Sequence, residues 1–337
     1  MRRVSFRPND FGNAAGNESS VPCAFAAHFI WLLQHISSDY DSRLDPADVR
    51  HVDRGREKGT AAVTSVMPHH PLTAQIAGSV GVVTGAASGM GRELASQLGA
   101  RGARLVVADK NADGLAETVA QLSAAGVEVI GQPCDVSSNG DVDALAAAAA
   151  NRFGSVELLV NAAGLAVFGP PVGVAIEQWK DVLDINFGGI VRCVNAFVPA
   201  MIERGHGWVV TFSSLAGIMT YPGAEGSGLY VASKFAVHGY SESLNLYLRP
   251  RGIGVTCAFP GRVATGFGTR GRLVGTSDTS WVRVPDWAPI DTGIAVARVV
   301  EAMTEGRFVV FTEDKHARWI SDRYADLEVA ITADVSA

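Results

Sequence analysis

The sequence predicts an α/β protein, a doubly wound parallel sheet with helices on both faces. From Ala77 onward, short and nearly continuous apolar runs alternate with longer amphipathic stretches, and several of these stretches close on glycine. Buried parallel strands are apolar on both faces, and glycine is favoured just past the end of a helix. Because strand and helix alternate along the chain, the strands are expected to lie parallel, with helices packed on either side of them.

Seven apolar runs are predicted to form the strands of this sheet. In chain order they are GSVGVVTG (78–85), ARLVVAD (103–109), VEVIGQPCD (127–135), VELLVNAAG (156–164), HGWVVTFSS (206–214), IGVTCAFPG (253–261) and RFVVFT (307–312). The segments between the first four runs are predicted to be helices. They are MGRELASQLGARG, ADGLAETVAQLSAAG and DVDALAAAAANRFG.

Composition and charge argue against several classes of protein. The 337 residues are 47% hydrophobic, enough for a sizeable core, and the formal net charge of -6 offers no basic field for nucleic acid. No run approaches the roughly 18 apolar residues that span a membrane. The cysteines are scattered without metal-ligand spacing, so the sequence predicts no metal site, no disulfide framework and a cytoplasmic location. They are Cys23, Cys134, Cys193 and Cys257.

Residues 1–74 differ from the rest and are predicted to be an extension of the domain that occupies 75–337. Polar and apolar residues mix there without a sustained period, and no motif is present. Three interpretations remain open: a disordered extension, a short helical appendage around residues 21–36, and an upstream start codon with Met67 as the true start. The apolar run VPCAFAAHFIWLL is interpreted as a non-signal, because acidic residues precede it and no clear cleavage site follows it.

Three glycines follow the first predicted strand in VVTGAASGMGREL. Gly85, Gly89 and Gly91 stand between this strand and the opening of a helix. Glycine there lets the backbone turn tightly and approach a pyrophosphate, whose charge is met by the N–H groups and the positive end of the helix. Glycine-rich turns are common in α/β proteins, but the strand before and the helix after favour a dinucleotide site.

Asp109 ends the second predicted strand, in VVADK. A carboxylate at this point can accept hydrogen bonds from the adenosine ribose hydroxyls and would repel the 2′-phosphate of NADP. The sequence therefore favours NAD over NADP. Lys110 follows directly and could offset the repulsion, and a helix N-cap or loop role for Asp109 is the alternative.

Tyr230 and Lys234 lie four residues apart in GSGLYVASKFAVHG, which places them one turn apart on one helix face. Only this one of the six tyrosines has a lysine four residues later. Forming a phenolate at pH 7 costs roughly 4 kcal/mol, because the reference pKa of tyrosine is about 10. An ammonium at about 4 Å supplies about that much at an effective dielectric constant of 20. The pair is predicted to transfer protons, and an ordinary surface pair is the alternative.

With these motifs in order, residues 77–315 resemble the short-chain dehydrogenase/reductase (SDR) family. The matching segments are Thr84 through Gly91 for TGxxxGxG, Asn161 to Gly164 for NAAG, Asn186 in DINFGG, Ser214 in FSSLAG, Tyr230 with Lys234, and Pro260, Gly261 and Thr265 for PGxxxT. The resemblance implies a single Rossmann-type domain with a seven-stranded sheet, usually a homodimer or homotetramer. It also implies an oxidoreductase that acts on CH–OH groups with NAD or NADP.

The resemblance further implies a role for individual residues. Tyr230 would be the base, Lys234 would lower its pKa and hold the nicotinamide ribose, Ser214 would bind the substrate oxygen, and Asn186 would hold a relay water. Asp135, in CDV, would contact the adenine. The residues expected to contact the cofactor are Thr84, Gly85, Ser88, Gly89, Met90, Gly91, Asp109, Asp135, Val136, Asn161, Ala162, Gly164, Tyr230, Lys234, Pro260, Gly261, Val263 and Thr265.

One spacing departs from the family pattern. Ser214 lies sixteen residues before Tyr230, a few more than is common, because MTYPGAEGSG is long and rich in glycine. The extra residues are expected to bulge beside the substrate. Ser213 and Ser227 are alternatives for the serine, although alternation of side chains along a strand should turn Ser213 the other way.

Residues 266–290 are expected to form the mobile substrate lid of the family. Aromatic and apolar residues there and in other loops could line an apolar pocket, or could simply pack the lid onto the body. They are Phe267, Trp281, Trp287, Phe168, Met219 and Tyr221. The leading hypothesis is an NAD(H)-linked oxidoreductase of secondary alcohols and ketones. The alternatives are an NADPH-linked 3-oxoacyl or polyketide-type reductase and a non-catalytic nucleotide-binding sensor or scaffold.

Overall fold

A computed structural model describes residues 72–220, 225–281 and 287–317 of the chain. The predicted extension lies outside the described residues up to position 71, together with the Met67 start and the proposed appendage. The first described residues pack against the hydrophobic core. Ala74 and Ile76 are buried, and the backbone N–H of Ala74 donates to the carbonyl of Met303 at 2.9 Å.

The central sheet has seven strands, all parallel, as predicted. The strands are β1 Val80–Thr84, β2 Arg104–Asp109, β3 Val129–Pro133, β4 Leu158–Asn161, β6 Gly207–Phe212, β7 Ile253–Phe259 and β9 Val309–Phe311. Their order across the sheet is β3-β2-β1-β4-β6-β7-β9. The chain adds β2 and β3 on one side of β1 and the later strands on the other side. This is the Rossmann-type topology, which has a crevice at the carboxyl ends of β1 and β4.

Helices cover both faces of this sheet. They are α1 Gly89–Ala100, α2 Ala112–Ala124, α3 Asn139–Phe153, α4 Ile176–Leu183, α5 Gly189–Arg204, α6 Gly228–Leu248 and α7 Thr292–Thr304. Side chains of α1, α2 and α7 pack on one face of the sheet, and those of α3, α5 and α6 pack on the other. Successive side chains of β1 point to opposite faces of the sheet. Val83 packs with α1, α2 and α7, and Val82 packs with α3, α5 and α6.

Side-chain caps fix the starts of several helices. Asn111 accepts a hydrogen bond from the N–H of Gly114 at the start of α2, and Ser138 and Asp291 cap α3 and α7 in the same way. Each cap satisfies a backbone N–H that has no partner within its helix. The caps therefore fix where each helix leaves the loop that follows a strand.

A second, two-stranded sheet was not predicted. β5 Val167–Phe168 pairs in parallel with β8 Arg272–Leu273. Two-residue strands are too short to show a hydrophobic period, so their sequences did not reveal them. This pairing ties the first half of the predicted lid to the loop after β4.

The helical stretch Ile176–Arg204, which joins α4 and α5, is long and apolar enough to cross a membrane by length and composition alone, with a mean hydropathy of 1.4. Of its most apolar window, 44% is buried inside the protein. Ile190, Cys193 and Phe197 belong to the core beneath the sheet. The stretch is thus accounted for as a core helix of the domain.

Candidate active site

Two cavities adjoin at the carboxyl ends of the central strands. The larger has a volume of about 340 Å³ and is lined by residues that directly follow β1, β4, β6 and β7, namely Gly85, Ala162, Ser213 and Pro260. The smaller has a volume of about 270 Å³. Both are lined by Met90, Ala166, Tyr230, Thr265 and Phe267.

The glycine turn after β1 fits a dinucleotide pyrophosphate. Gly85 has a φ of +70°, and a Cβ added there would lie 2.6 Å from the backbone nitrogen of Ala163. A Cβ on Gly91 would lie 2.2 Å from the carbonyl oxygen of Gly85. A larger residue at Gly85 would push the turn away from the loop after β4, and one at Gly91 would push α1 away from the turn. The result is a cradle of backbone at the N-terminus of α1, which favours an anion.

Most residues predicted to contact the cofactor line the larger cavity. They are Gly85, Ser88, Gly89, Met90, Gly91, Asp109, Asp135, Val136, Ala162, Gly164, Tyr230, Lys234, Pro260 and Thr265. Gly261 and Val263 line the smaller cavity instead.

Thr84 and Asn161 are buried and line neither cavity among the described residues. Thr84 Oγ1 accepts from the N–H of Ala163 at 3.3 Å, and Asn161 Nδ2 donates to the carbonyl of Val210 at 3.3 Å. Each side chain thus links its own strand to a neighbouring strand or to the loop that follows it. Thr84 and Asn161 support the backbone around the larger cavity and do not line it.

Acidic and basic groups meet where the adenosine end of a dinucleotide would lie. Asp109 Oδ2 accepts from the N–H of Ala87 at 3.0 Å, so this carboxylate also holds the glycine turn. Lys110 Nζ lies 3.9 Å from Asp135 Oδ2. The hydrogen bond from Ser137 and the nearby Lys110 ammonium hold the pKa of Asp135 below its usual value.

Tyr230 and Lys234 lie on one face of α6. The Lys234 side chain is buried, and its Nζ donates to the carbonyl of Phe212 at 2.8 Å. This Nζ lies 5.7 Å from the centroid of the Tyr230 ring. Burial lowers the pKa of Lys234 to about 8. Lys234 lines the larger cavity only, whereas Tyr230 lines both.

Asn186 lies in a π-helical segment, Asp184–Gly188, between α4 and α5. Its side chain is fully buried. Oδ1 accepts from the N–H of Leu165 at 2.8 Å, and Nδ2 donates to the Leu165 carbonyl and to Ser233 Oγ, each at 3.1 Å. The side chain therefore fastens the loop after β4 to α6. π-helical insertions are frequent at functional sites.

The three candidate serines differ in their surroundings. Ser213 Oγ donates to the carbonyl of Lys234 at 2.9 Å in the interior. Ser214 caps a short 3₁₀ turn, accepting from the N–H of Ala216 at 3.2 Å and donating to the Pro260 carbonyl at 3.5 Å. Ser214 lines neither cavity among the described residues, whereas Ser227 lines the smaller one. The bond from Ser214 to Pro260 is long, so this hydroxyl can turn away from it at little cost.

Four of the six residues predicted for an apolar pocket line the smaller cavity, namely Phe168, Met219, Phe267 and Trp287. Tyr221 and the side chain of Trp281 lie outside the described residues. Two cations at the cavities are not among the residues that the sequence predicts for the site. Arg262 lines the smaller cavity and Arg270 the larger one. Arg262 could have been found from the sequence, because it lies inside the PGxxxT motif that is predicted to belong to the site.

Known proteins resemble this chain in sequence and in fold. The sequence profile of the short chain dehydrogenase family matches residues 79–272. A candidate ketoacyl reductase of Streptomyces coelicolor is 40% identical over 188 residues, which are 55% of this chain and 71% of that protein. A glycine betaine reductase of Emericella nidulans is 37% identical over 201 residues, 60% of this chain, but this chain covers only 15% of its length.

A solved structure matches over most of its own length. A short chain dehydrogenase/reductase from Burkholderia phymatum in complex with NAD superimposes with a TM-score of 0.68 at 32% identity, covering 76% of this chain and 96% of that one. The profile match extends over more than half of the chain and includes the glycine turn, Tyr230 and Lys234. The chain belongs to the short chain dehydrogenase family of oxidoreductases.

Proposed function

We propose that the protein interconverts a secondary alcohol and a ketone by hydride transfer, with NAD(H) as the favoured cofactor. The observation that carries the proposal is the position of Tyr230, which lines both the cavity with the nucleotide cradle and the apolar cavity beside it. A group shared by the two cavities can contact a substrate while the cofactor is bound. A nicotinamide in the larger cavity would supply the hydride donor or acceptor.

The protein's own side chains transfer the proton. In the oxidation direction, Tyr230 takes the hydroxyl proton as the C–H hydride leaves, which forms the C=O bond. The ammonium of Lys234 stabilises the phenolate, because it lies in a buried setting where charges interact more strongly than in water. In reduction, Tyr230 returns the proton to the oxygen.

Ser214 and Asn186 are proposed to assist. The Ser214 hydroxyl would turn from Pro260 to donate to the substrate oxygen and stabilise its developing charge. The Asn186 side chain is committed to Leu165 and Ser233, so a relay water linking Lys234 to solvent would bind the backbone carbonyl of Asn186.

The preference for NAD rests on Asp109, whose carboxylate lines the larger cavity where the 2′-phosphate of NADP would be repelled. The pairing of Lys110 with Asp135 supports this, because that cation is partly engaged elsewhere. Titration of the protein with NADH and with NADPH tests the preference. Tighter binding of NADPH would overturn it.

An NADPH-linked 3-oxoacyl or polyketide-type reductase is the second candidate, favoured by the similarity to the candidate ketoacyl reductase. A panel of hydrophobic secondary alcohols, ketones and 3-oxoacyl thioesters, assayed with both cofactors, separates the two enzymes. Turnover of thioesters alone would replace the leading proposal. A non-catalytic sensor or scaffold would turn over no member of the panel, and the intact Tyr230 and Lys234 pair argues against it.

We also propose a homodimer or homotetramer, formed by a second copy on α6. The exposed side of this helix carries Phe235, Gly239, Ser243 and Leu246, with Phe235 40% and Leu246 59% exposed. Large apolar groups that flank small ones suit close packing of two helices. Light scattering of wild type and Leu246→Glu tests the assembly, and a monomeric wild type would refute it.

A cytoplasmic location is proposed from the thiols. Cys134, Cys193 and Cys257 are free and buried, and burial raises the pKa of each, to about 11, 12 and 11. They can stay reduced without a disulfide partner. Fractionation of the native cells tests the location.

A further inference from the structure

We propose that the substrate carries an anionic group and that Arg262 binds this group in the smaller cavity. The inference rests on the proposed function, because it takes the smaller cavity to be the substrate site. It goes beyond that function by defining the chemical class of substrate: an apolar or aromatic alcohol or ketone with a carboxylate, or an equivalent anion, at the end away from the reacting carbon.

The lining of the smaller cavity is mainly apolar. Its described members include Val167, Phe168, Leu215, Met219, Val231, Val263, Phe267, Trp287 and Pro289. Among the described lining residues, Arg262 alone carries a charge at neutral pH. Apolar ligand sites use a few polar groups to fix the orientation of the ligand, and here a guanidinium is available for that task.

The guanidinium of Arg262 is held in place but has donors to spare. Arg262 is half-buried, and its Nη1 donates to the backbone carbonyl of Trp287, at the far end of the lid. Arginine has five N–H donors in a fixed fork, so this one bond leaves Nη2 and Nε for a further acceptor. The bond also restricts the rotation of the side chain, which lowers the cost of binding an anion.

No carboxylate of the described chain lies within ion-pair distance of Arg262. This sets it apart from Arg192, which pairs with Asp184 at 2.6 Å, and from Arg298, which pairs with Asp314 at 2.6 Å. A cation in a largely apolar, partly desolvated cavity gains most from a ligand that brings the opposite charge.

Arg270 has a different task. It reaches from the lid to the larger cavity, where its Nη2 donates to the Thr265 carbonyl at 3.0 Å and to Ser88 Oγ at 3.4 Å. Ser88 is part of the glycine turn, so Arg270 is placed beside the pyrophosphate cradle. The two arginines thus serve two different anions, one on the cofactor and one on the substrate.

The size of the smaller cavity limits the substrate. A sphere of 270 Å³ is about 8 Å across, which fits one or two rings between Tyr230 and the anion subsite. Suitable probes are therefore pairs of aryl ketones that differ only in a para group, such as 4-acetylbenzoate and 4-methylacetophenone, with a two-ring pair alongside.

Binding of both members of each pair is measured by calorimetry on the protein–NAD⁺ complex, in which a ketone cannot be reduced, for wild type, Arg262→Gln and Arg262→Lys. We expect wild type to bind the carboxylate roughly 10-fold to 100-fold more tightly than the neutral ketone, as charge-assisted hydrogen bonds provide. Arg262→Gln should abolish the preference, and Arg262→Lys should keep part of it.

Equal affinity for the two members in wild type overturns the proposal, as does a preference that survives in Arg262→Gln. A purely structural role in holding Trp287 predicts that Arg262→Gln weakens both members equally, and that result also overturns it. Turnover of the same pairs is assayed separately. Binding preference without any turnover would leave the anion subsite standing and would refute the proposed reaction instead.

Discussion

Replacing Lys234 by Met should raise the pKa of Tyr230 and slow proton transfer. The ammonium lies 5.7 Å from the centroid of the Tyr230 ring. At an effective dielectric constant of 20, a unit charge at that distance stabilises a phenolate by about 3 kcal/mol. This corresponds to about two units in the pKa of Tyr230 and about a 100-fold change in the fraction of phenolate near neutral pH.

The assay is the pH profile of kcat/KM for alcohol oxidation. Wild type should show a limb for the Tyr230 base, and Lys234→Met should move this limb upward by about two units, with about 100-fold lower kcat/KM at pH 7. NADH affinity is measured alongside, because Lys234 also lines the larger cavity. Lys180→Met, on the exposed side of α4, is the matched control and should leave the profile unchanged.

A limb that stays in place in Lys234→Met would refute the electrostatic reasoning. Thermal melting of the variant tests whether a low rate comes from loss of folding. Methionine removes a charge whose burial is unfavourable, and this burial lowers the pKa of Lys234 to about 8. It also removes the donor to the Phe212 carbonyl. The two effects oppose each other, so we expect the variant to melt as a folded protein with a Tm near that of wild type.

Three further predictions concern the serine, the lid and a buried histidine. Ser214→Ala should lower kcat by about 100-fold, whereas Ser227→Ala should lower it far less; the reverse order in steady-state assays would assign the role to Ser227. Arg270→Gln should weaken NADH binding roughly 10-fold with a smaller salt dependence, and calorimetry that finds no change would place Arg270 away from the pyrophosphate. Burial lowers the pKa of His316 from 6.5 to about 4, so the unfolded chain binds this proton first as the pH falls. Stability should therefore drop by at most about 3 kcal/mol between about pH 6.5 and 4, and denaturant unfolding of His316→Asn should show a shallower drop.

The seven-stranded sheet and most of the larger cavity could be predicted because their signals are local. Gly85 and Gly91 stand at fixed positions between a strand and a helix, and the spacing of Tyr230 and Lys234 is one helical turn. Residues in such positions are brought together by any fold with this order of strands.

The substrate side could not be predicted to the same depth. Residues 272–273 of the predicted lid pair with β5 as the two-residue strand β8, and a strand of two residues shows no hydrophobic period. The sequence does not assign a role to Arg262 or Arg270, because the role of a cation depends on the cavity that it faces, and the cavity depends on the path of the predicted lid. The long segment between Ser214 and Tyr230 is evident from the sequence, but a count of residues does not define its path.

Turnover by Tyr230→Phe tests the central claim most directly, since this change removes one oxygen from the side chain that lines both cavities. Tyr240→Phe, farther along α6, is the matched control. For any substrate pair that wild type converts, Tyr230→Phe should lower kcat by about 100-fold to 10 000-fold with NADH affinity nearly unchanged, and Tyr240→Phe should retain activity. Turnover by Tyr230→Phe at a rate close to that of wild type would contradict the account.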